Sequence, residues 1–269
     1  MFNMIRILGF SILLLSLFSC SKFQKISKSS DFDKKYTAAV AYYEKGDYYR
    51  ALQLFEQVAP LMRGTAKAEQ LYFYYAMAYY KQKDFLLASY YFERFARDYP
   101  SSANASEALF LAAECKYKLS PPFTLDQTPT LEAIQAFQVF INAYPASPKV
   151  QQCNELIDEL RLKLQTKDFT MALQYFKMEA FEAAVIAFTN LLDDYPETSY
   201  REDAMYYIFK SWYYYAKNSI SFKQDERYSK ALTAGSDFLV LYAESPRISE
   251  VQNLYDQIMK DNINKNKLN

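Results

Sequence analysis

Apolar positions fall into two regimes along the chain. From Ile7 to Phe18 they form one run, interrupted only by Gly9, Ser11 and Ser16 and preceded by Arg6. That run is shorter than the ~20 residues a spanning helix needs, and it fits the central segment of a secretory signal. Residues 21–30 are polar, with Lys22, Lys25 and Lys28, and read as a flexible tether. From there on the chain is rich in Ala, Leu, Tyr, Lys and Glu in long stretches free of Gly and Pro. Such stretches predict helices, and no segment sustains the period-two alternation of a half-buried strand.

The helices repeat. Ala88, Phe92, Phe95 and Pro100 recur in the same spacing as Ala133, Phe137, Phe140 and Pro145, then as Ala184, Phe188, Leu191 and Pro196. Ala234, Phe238, Leu241 and Pro246 read as a fifth copy, and Ala51, Phe55 and Val58 as the first, with Arg63 where Pro would fall. The pattern resembles the second helix of a tetratricopeptide repeat (TPR): a small residue for close helix contact, aromatic knobs, and a proline that ends the helix. Tyr42–Tyr48, Tyr79–Phe85 and Tyr175–Phe181 look like the turn between paired helices, and Ala39, Ala76, Ala112 and Ala172 occupy the small position of the first helices. The predicted fold is all-α, an α-α superhelix (solenoid) of five TPR-like helix pairs. Ser120–Thr130, with Pro121, Pro122 and Pro129, reads as one insertion and Lys217–Arg227 as another. The absence of Gly and Pro from Lys149 to Met178 predicts one long helix bridging repeats three and four.

The apolar run ends in Leu17-Phe18-Ser19-Cys20, which resembles a bacterial lipobox. On that reading residues 1–19 are removed and Cys20 is lipidated, so the chain is held at the outer membrane by acyl chains and needs no membrane helix. Neither an Asp that would favour inner-membrane retention nor a run of acids follows Cys20 directly. The expected location is therefore the periplasmic face. The expected organisation is 20–31 lipidated Cys and tether, 32–147 repeats one to three, 148–260 repeats four and five, and 261–269 a polar tail.

Composition narrows the chemistry. The 269 residues carry 31 basic and 31 acidic side chains, 26 Tyr, 21 Phe, 4 Gly and no His. Without His there is no His general base and no His metal ligand. Four glycines leave none for a phosphate-cradling loop. A balanced charge lacks the basic stripe of a nucleic-acid binder. No catalytic residue, metal site or cofactor is expected, and Asp193-Asp194, at a helix end before Tyr195-Pro196, is not read as a catalytic dyad. Cys115 and Cys153 lie in apolar helical stretches and read as buried free thiols, although an exported chain could pair them.

The chain is expected to act through surfaces. Because the first helices of a TPR superhelix line its concave face, the resemblance makes Tyr36, Tyr43, Phe73, Met77, Tyr80, Lys81, Lys116 and Tyr117 an aromatic trough with two lysines, suited to an extended peptide. A second surface, around Arg201, Glu202 and Trp212, carries residue types that dominate interface energetics.

Lipobox, size, five repeats and the helix endings Asp98-Tyr99-Pro100 and Asp194-Tyr195-Pro196 together resemble the BamD family of outer-membrane assembly lipoproteins. Arg63-Gly64-Thr65, Ser120–Thr128 and Cys153–Arg161 look like the branch with a longer middle insertion. The resemblance implies a non-enzymatic component of the Bam complex. Its N-terminal repeats would recognise C-terminal segments of unfolded β-barrel precursors. Its C-terminal repeats would dock on a POTRA domain of the barrel-assembly protein, with a basic residue such as Arg201 opening the last repeat. Where that family often has Tyr-Pro after repeat one, this chain has Met62-Arg63-Gly64. Two alternatives share the lipobox and helices: a TPR scaffold of another envelope complex, and a lipoprotein that captures nutrients beside a transporter.

Overall fold

The computed structural model describes residues 22–268, with side chains to Asp261; the lipobox and Cys20 lie outside them. Eleven helices follow a short helical segment at 22–27, and no strand occurs among the described residues. They are α1 (Phe32–Glu44), α2 (Tyr48–Met62), α3 (Ala68–Lys81), α4 (Phe85–Asp98), α5 (Ala105–Leu119), α6 (Thr128–Ala143), α7 (Val150–Lys177), α8 (Phe181–Asp194), α9 (Arg201–Lys217), α10 (Ser221–Leu241) and α11 (Ile248–Leu268). Consecutive helices pair as α1/α2, α3/α4, α5/α6, α7/α8 and α9/α10, the five pairs of an all-α TPR-like solenoid. They fall into two compact units, one with residues to Pro121 and Gln127–Ile157, the other with Pro122–Asp126 and everything from Asp158.

Within a pair, the turn is built the same way three times. Gly46, Lys83 and Glu179 take left-handed backbone conformations with φ of 77, 63 and 60°. Asp47 and Asp84 then cap the second helix by accepting the amide protons of Arg50 and Leu87 at 3.2 Å. Ala180 stands in the third copy and makes no such bond. A left-handed non-glycine residue costs roughly 1–2 kcal/mol, and an Asp cap is worth about 1 kcal/mol over Ala. Lys83→Gly and Ala180→Asp are therefore each expected to raise the unfolding free energy by about 1 kcal/mol, measured as a shift in urea midpoint at constant slope.

The small residues Ala39, Ala76, Ala112 and Ala172 are all buried, as are Ala51, Ala88, Ala133 and Ala184 of the second helices. Between them Phe55, Phe92, Phe95, Phe137, Phe140 and Phe188 are closed from solvent, each worth about 1.5–3 kcal/mol of burial. Cys115 and Cys153 are free and buried, and burial pushes the Cys115 thiol up to about 12, which leaves it unreactive.

Between repeats a second device recurs. Tyr99, Tyr144, Tyr195 and Tyr242 end their helices, each amide donating to the carbonyl four residues earlier. Three residues on, Ser102, Ser147, Thr198 and Ser245 close a turn onto that Tyr carbonyl at 3.0 Å. Their hydroxyls accept the amides of Asn104, Lys149, Tyr200 and Arg247. Three of those hydroxyls also donate to the preceding first helix: Ser102 to Glu69, Thr198 to Gln165 and Ser245 to Glu202.

This device corrects the register of the fifth repeat. Tyr242 corresponds to Tyr99, so Phe238 corresponds to Phe95 and not to Phe92. The buried set in α10 is Ala231, Gly235 and Phe238, while Leu241 is 59% exposed. Gly235 replaces the aromatic knob because the rings of Phe209 and Tyr255 already fill its place: a Cβ there would lie 2.8 Å from one and 3.1 Å from the other.

The structure adds detail to two further expectations and changes a third. The extra residues at Lys217–Arg227 lengthen α10 and leave only Asn218–Ile220 between helices. The 261–269 tail continues α11 as helix to Leu268. The tether is not free: residues 22–27 are helical, and Phe23 and Ile26 pack on repeat one. The expected long helix is α7, 28 residues, beginning in the first unit and ending in the second. Helix α11 follows the same turn as a first helix would, and it packs on α9 and α10. Val251 and Ile258 are buried inward, and Asn253, Asp256 and Lys260 form an exposed polar outer face.

Candidate functional site

In the first unit, side chains on α1, α3 and α5 are tied repeat to repeat. The Tyr36 hydroxyl donates to Gln70 at 2.7 Å and that of Tyr80 to Glu114 at 2.8 Å, each 34 residues ahead. Tyr36 is buried. Burial, followed by the bond to Glu114, holds the Tyr80 phenol above its usual value. The Tyr43 ring stacks on Tyr74 at 4.6 Å and meets Tyr48 edge-on at 5.5 Å; burial, then these two neighbours, push its phenol up to about 12.

The expected trough is thereby divided. Phe73 lies against Phe92 and Phe95 at 6.1 and 5.3 Å, inside its own helix pair. Lys116 pairs with Glu93 at 2.7 Å and lines a separate hollow of about 250 Å³ between α4, α5 and α6. Tyr117 rests edge-on against Phe137. Met77 is half-buried and Lys81 exposed. Gln70, Tyr74, Met77 and Lys81 form one stripe of α3 at helical spacing. Tyr74 is the residue sequence reasoning missed. It lies one position, hence about 100° of helix rotation, from Phe73.

The second unit presents a hollow of about 500 Å³ lined by Phe176, Lys177, Glu179, Phe181, Lys210, Tyr214, Lys217 and Asn218. Tyr214 stacks on Phe181 at 5.4 Å. Lys210 bonds Tyr206 at 3.0 Å and Glu250 at 2.9 Å. Burial works against its charge, and these partners outweigh burial and hold its pKa above the usual lysine value. Lys177 and Lys217 are exposed. Lys210, Tyr214 and Lys217 follow one helical stripe of α9, a signal hidden in the sequence by the surrounding tyrosines.

Of the residues expected for docking, Arg201 is exposed and its guanidinium donates to the Pro196 carbonyl at 3.0 Å. Glu202 accepts the Ser245 hydroxyl at 2.6 Å and so serves the turn into α11. Trp212 is half-buried against the core of repeat five, with the Lys230 ammonium 4.9 Å above its ring. The three do not converge on one site. Among the described residues no group of His, Cys, Asp and Glu could hold a metal ion, and no helix is long and apolar enough to cross a membrane.

Paired helices, recurring turns and aromatic surfaces define a TPR-type protein. A family model described as "YfiO: Outer membrane lipoprotein" matches residues 29–226, and the chain belongs to that family. The chain is similar to a number of solved structures, two of which follow. A TPR repeats protein from Bacteroides fragilis is 13% identical, with 86% of this chain and 99% of that chain covered and a TM-score of 0.38. The TPR2AB-domain:pHSP90 complex of yeast Sti1 is 14% identical, with 85% and 98% covered and a TM-score of 0.37. No curated protein matches the chain.

Proposed function

We propose that this chain is the BamD-type component of the machinery that assembles β-barrel proteins into the outer membrane. It is anchored by a lipid on Cys20 at the periplasmic face and acts by binding, without catalysis. The first unit recognises C-terminal segments of unfolded outer-membrane proteins. The second docks on the POTRA region of the barrel-assembly protein. The observation that carries the reading is the family match, which runs through both units.

The geometry supports a narrower contact set than the sequence did. Tyr36 is buried, Phe73 and Tyr117 pack inside their own helix pairs and Lys116 is ion-paired, so the peptide surface centres on the half-buried Tyr43/Tyr74 stack, Met77 and Lys81, with Tyr80 at its edge. An amphipathic ring gives area at low entropic cost, and Lys81 offers a cation to a terminal carboxylate. On the second unit, Arg201 and Trp212 are joined by the Lys177/Lys217 hollow as docking elements, while Glu202 is structural.

The test is affinity purification of the tagged lipoprotein from detergent-solubilised outer membranes. The POTRA-bearing barrel-assembly protein is expected in the eluate. Its absence, with components of another envelope complex in its place, would favour the scaffold alternative.

A further inference from the structure

We propose that residues 22–30 are a membrane seat: with the lipid on Cys20, they hold repeat one directly against an anionic phospholipid surface. The proposal rests on the lipid-anchor reading of Cys20.

The geometry begins with Phe23, whose ring meets Tyr42 edge-on at 5.7 Å. The Arg50 guanidinium lies over both rings, at 5.7 and 5.9 Å. Ile26 packs on the core of repeat one. The Gln57 amide donates to the Ser27 hydroxyl at 3.0 Å while its carbonyl oxygen accepts from Lys35 at 2.8 Å. The segment is thus fixed to α1 and α2 along the face that carries positions 23, 26 and 27. Lys22, Lys25 and Lys28 are left exposed.

Two consequences follow. A free ten-residue tether could reach roughly 35 Å, whereas Cys20 is two residues from the docked helix, a span of at most about 7 Å. A lipid on Cys20 then brings this helix, and repeat one with it, to headgroup level. The charge is also one-sided: residues 22–30 contain three lysines and no acid. The next carboxylate, Asp31, is occupied capping α1 through the Lys34 amide at 2.9 Å. A lysine at an anionic surface strengthens partition by about fivefold, so the three together contribute roughly a hundredfold on top of the acyl chains. The occupant is therefore an anionic headgroup layer.

The experiment uses the lipidated full chain in vesicles. A donor dye is placed on Thr37→Cys, exposed on α1, and an acceptor on lipid headgroups; the buried native thiols stay unlabelled. In phosphatidylglycerol-containing vesicles, energy transfer is expected to be strong. It should fall in Phe23→Ser/Ile26→Ser, which undocks the helix. It should also fall in Lys22→Gln/Lys25→Gln/Lys28→Gln, but not when the vesicles are phosphatidylcholine alone. Circular dichroism checks that the repeats stay folded. Flotation separates the two claims. If the native chain floats no better than Cys20→Ala, the anchor reading fails and this proposal with it. If it floats but transfer is indifferent to both sets of substitutions, the anchor stands and the seat is overturned.

Discussion

Cys20→Ala is expected to abolish fatty-acid incorporation and leave the chain either soluble or precursor-sized. On the lipobox reading the acyl chains are the anchor, and no helix among the described residues is long and apolar enough to cross a membrane. Each buried CH₂ contributes about 0.8 kcal/mol, and one chain alone binds only marginally while two or more hold stably. Losing all of them removes far more than a thousandfold of partition. The measurement is labelled-palmitate incorporation with fractionation of the envelope. Label retained on Cys20→Ala protein would show that the lipobox assignment is wrong.

The largest effect on folding is expected at Gly235. Alanine in a helix interior normally gains about 1 kcal/mol over glycine. Here its Cβ would stand 2.8 Å from Phe209 and 3.1 Å from Tyr255, ring atoms held between α9, α10 and α11. Overpacking of this kind costs about 1–3 kcal/mol, so Gly235→Ala is expected to be destabilising despite its better propensity. Gly235→Leu, with three more carbons in the same space, should lose about 3 kcal/mol or more. Thermal and urea unfolding of the two variants measures this. A Gly235→Leu protein as stable as the native chain would mean that the three helices are not closed at this point.

That glycine also explains where the sequence misled. Four of five second helices are legible because an alanine and two apolar knobs recur at one spacing, with a proline after them in three. In the fifth, glycine stands where the first knob belongs, and Ala234, Leu241 and Pro246 make a false match three residues on. The four tyrosines that end these helices would have fixed the register, since Tyr242 stands four residues after Phe238 as Tyr99 does after Phe95.

The candidate surface was legible as a kind and not as a list. Aromatic richness in the first helices is plain, but a single position decides whether a ring faces its own partner, as Phe73 does, or the neighbouring repeat, as Tyr74 does. Hydroxyl partners such as Gln70 and Glu114 lie a full repeat away, so no local pattern announces that Tyr36 and Tyr80 are stitched between repeats. The tether misled for a similar reason. Residues 21–30 are polar in composition, and only the rings of Tyr42 and Arg50's place above them show that Phe23 has somewhere to dock.

The central claim is that the first unit recognises the C-terminal ends of β-barrel precursors, and a peptide-binding titration tests it most directly. A fluorescent peptide copying such an end is titrated with the native protein and with Tyr43→Ala/Tyr74→Ala, folding being checked by circular dichroism. Loss of a buried aromatic anchor costs about 2 kcal/mol or more, so affinity is expected to fall at least roughly thirtyfold, while capture of the barrel-assembly protein through the second unit persists. A change of less than about twofold in affinity, in protein that is still folded, would contradict the account.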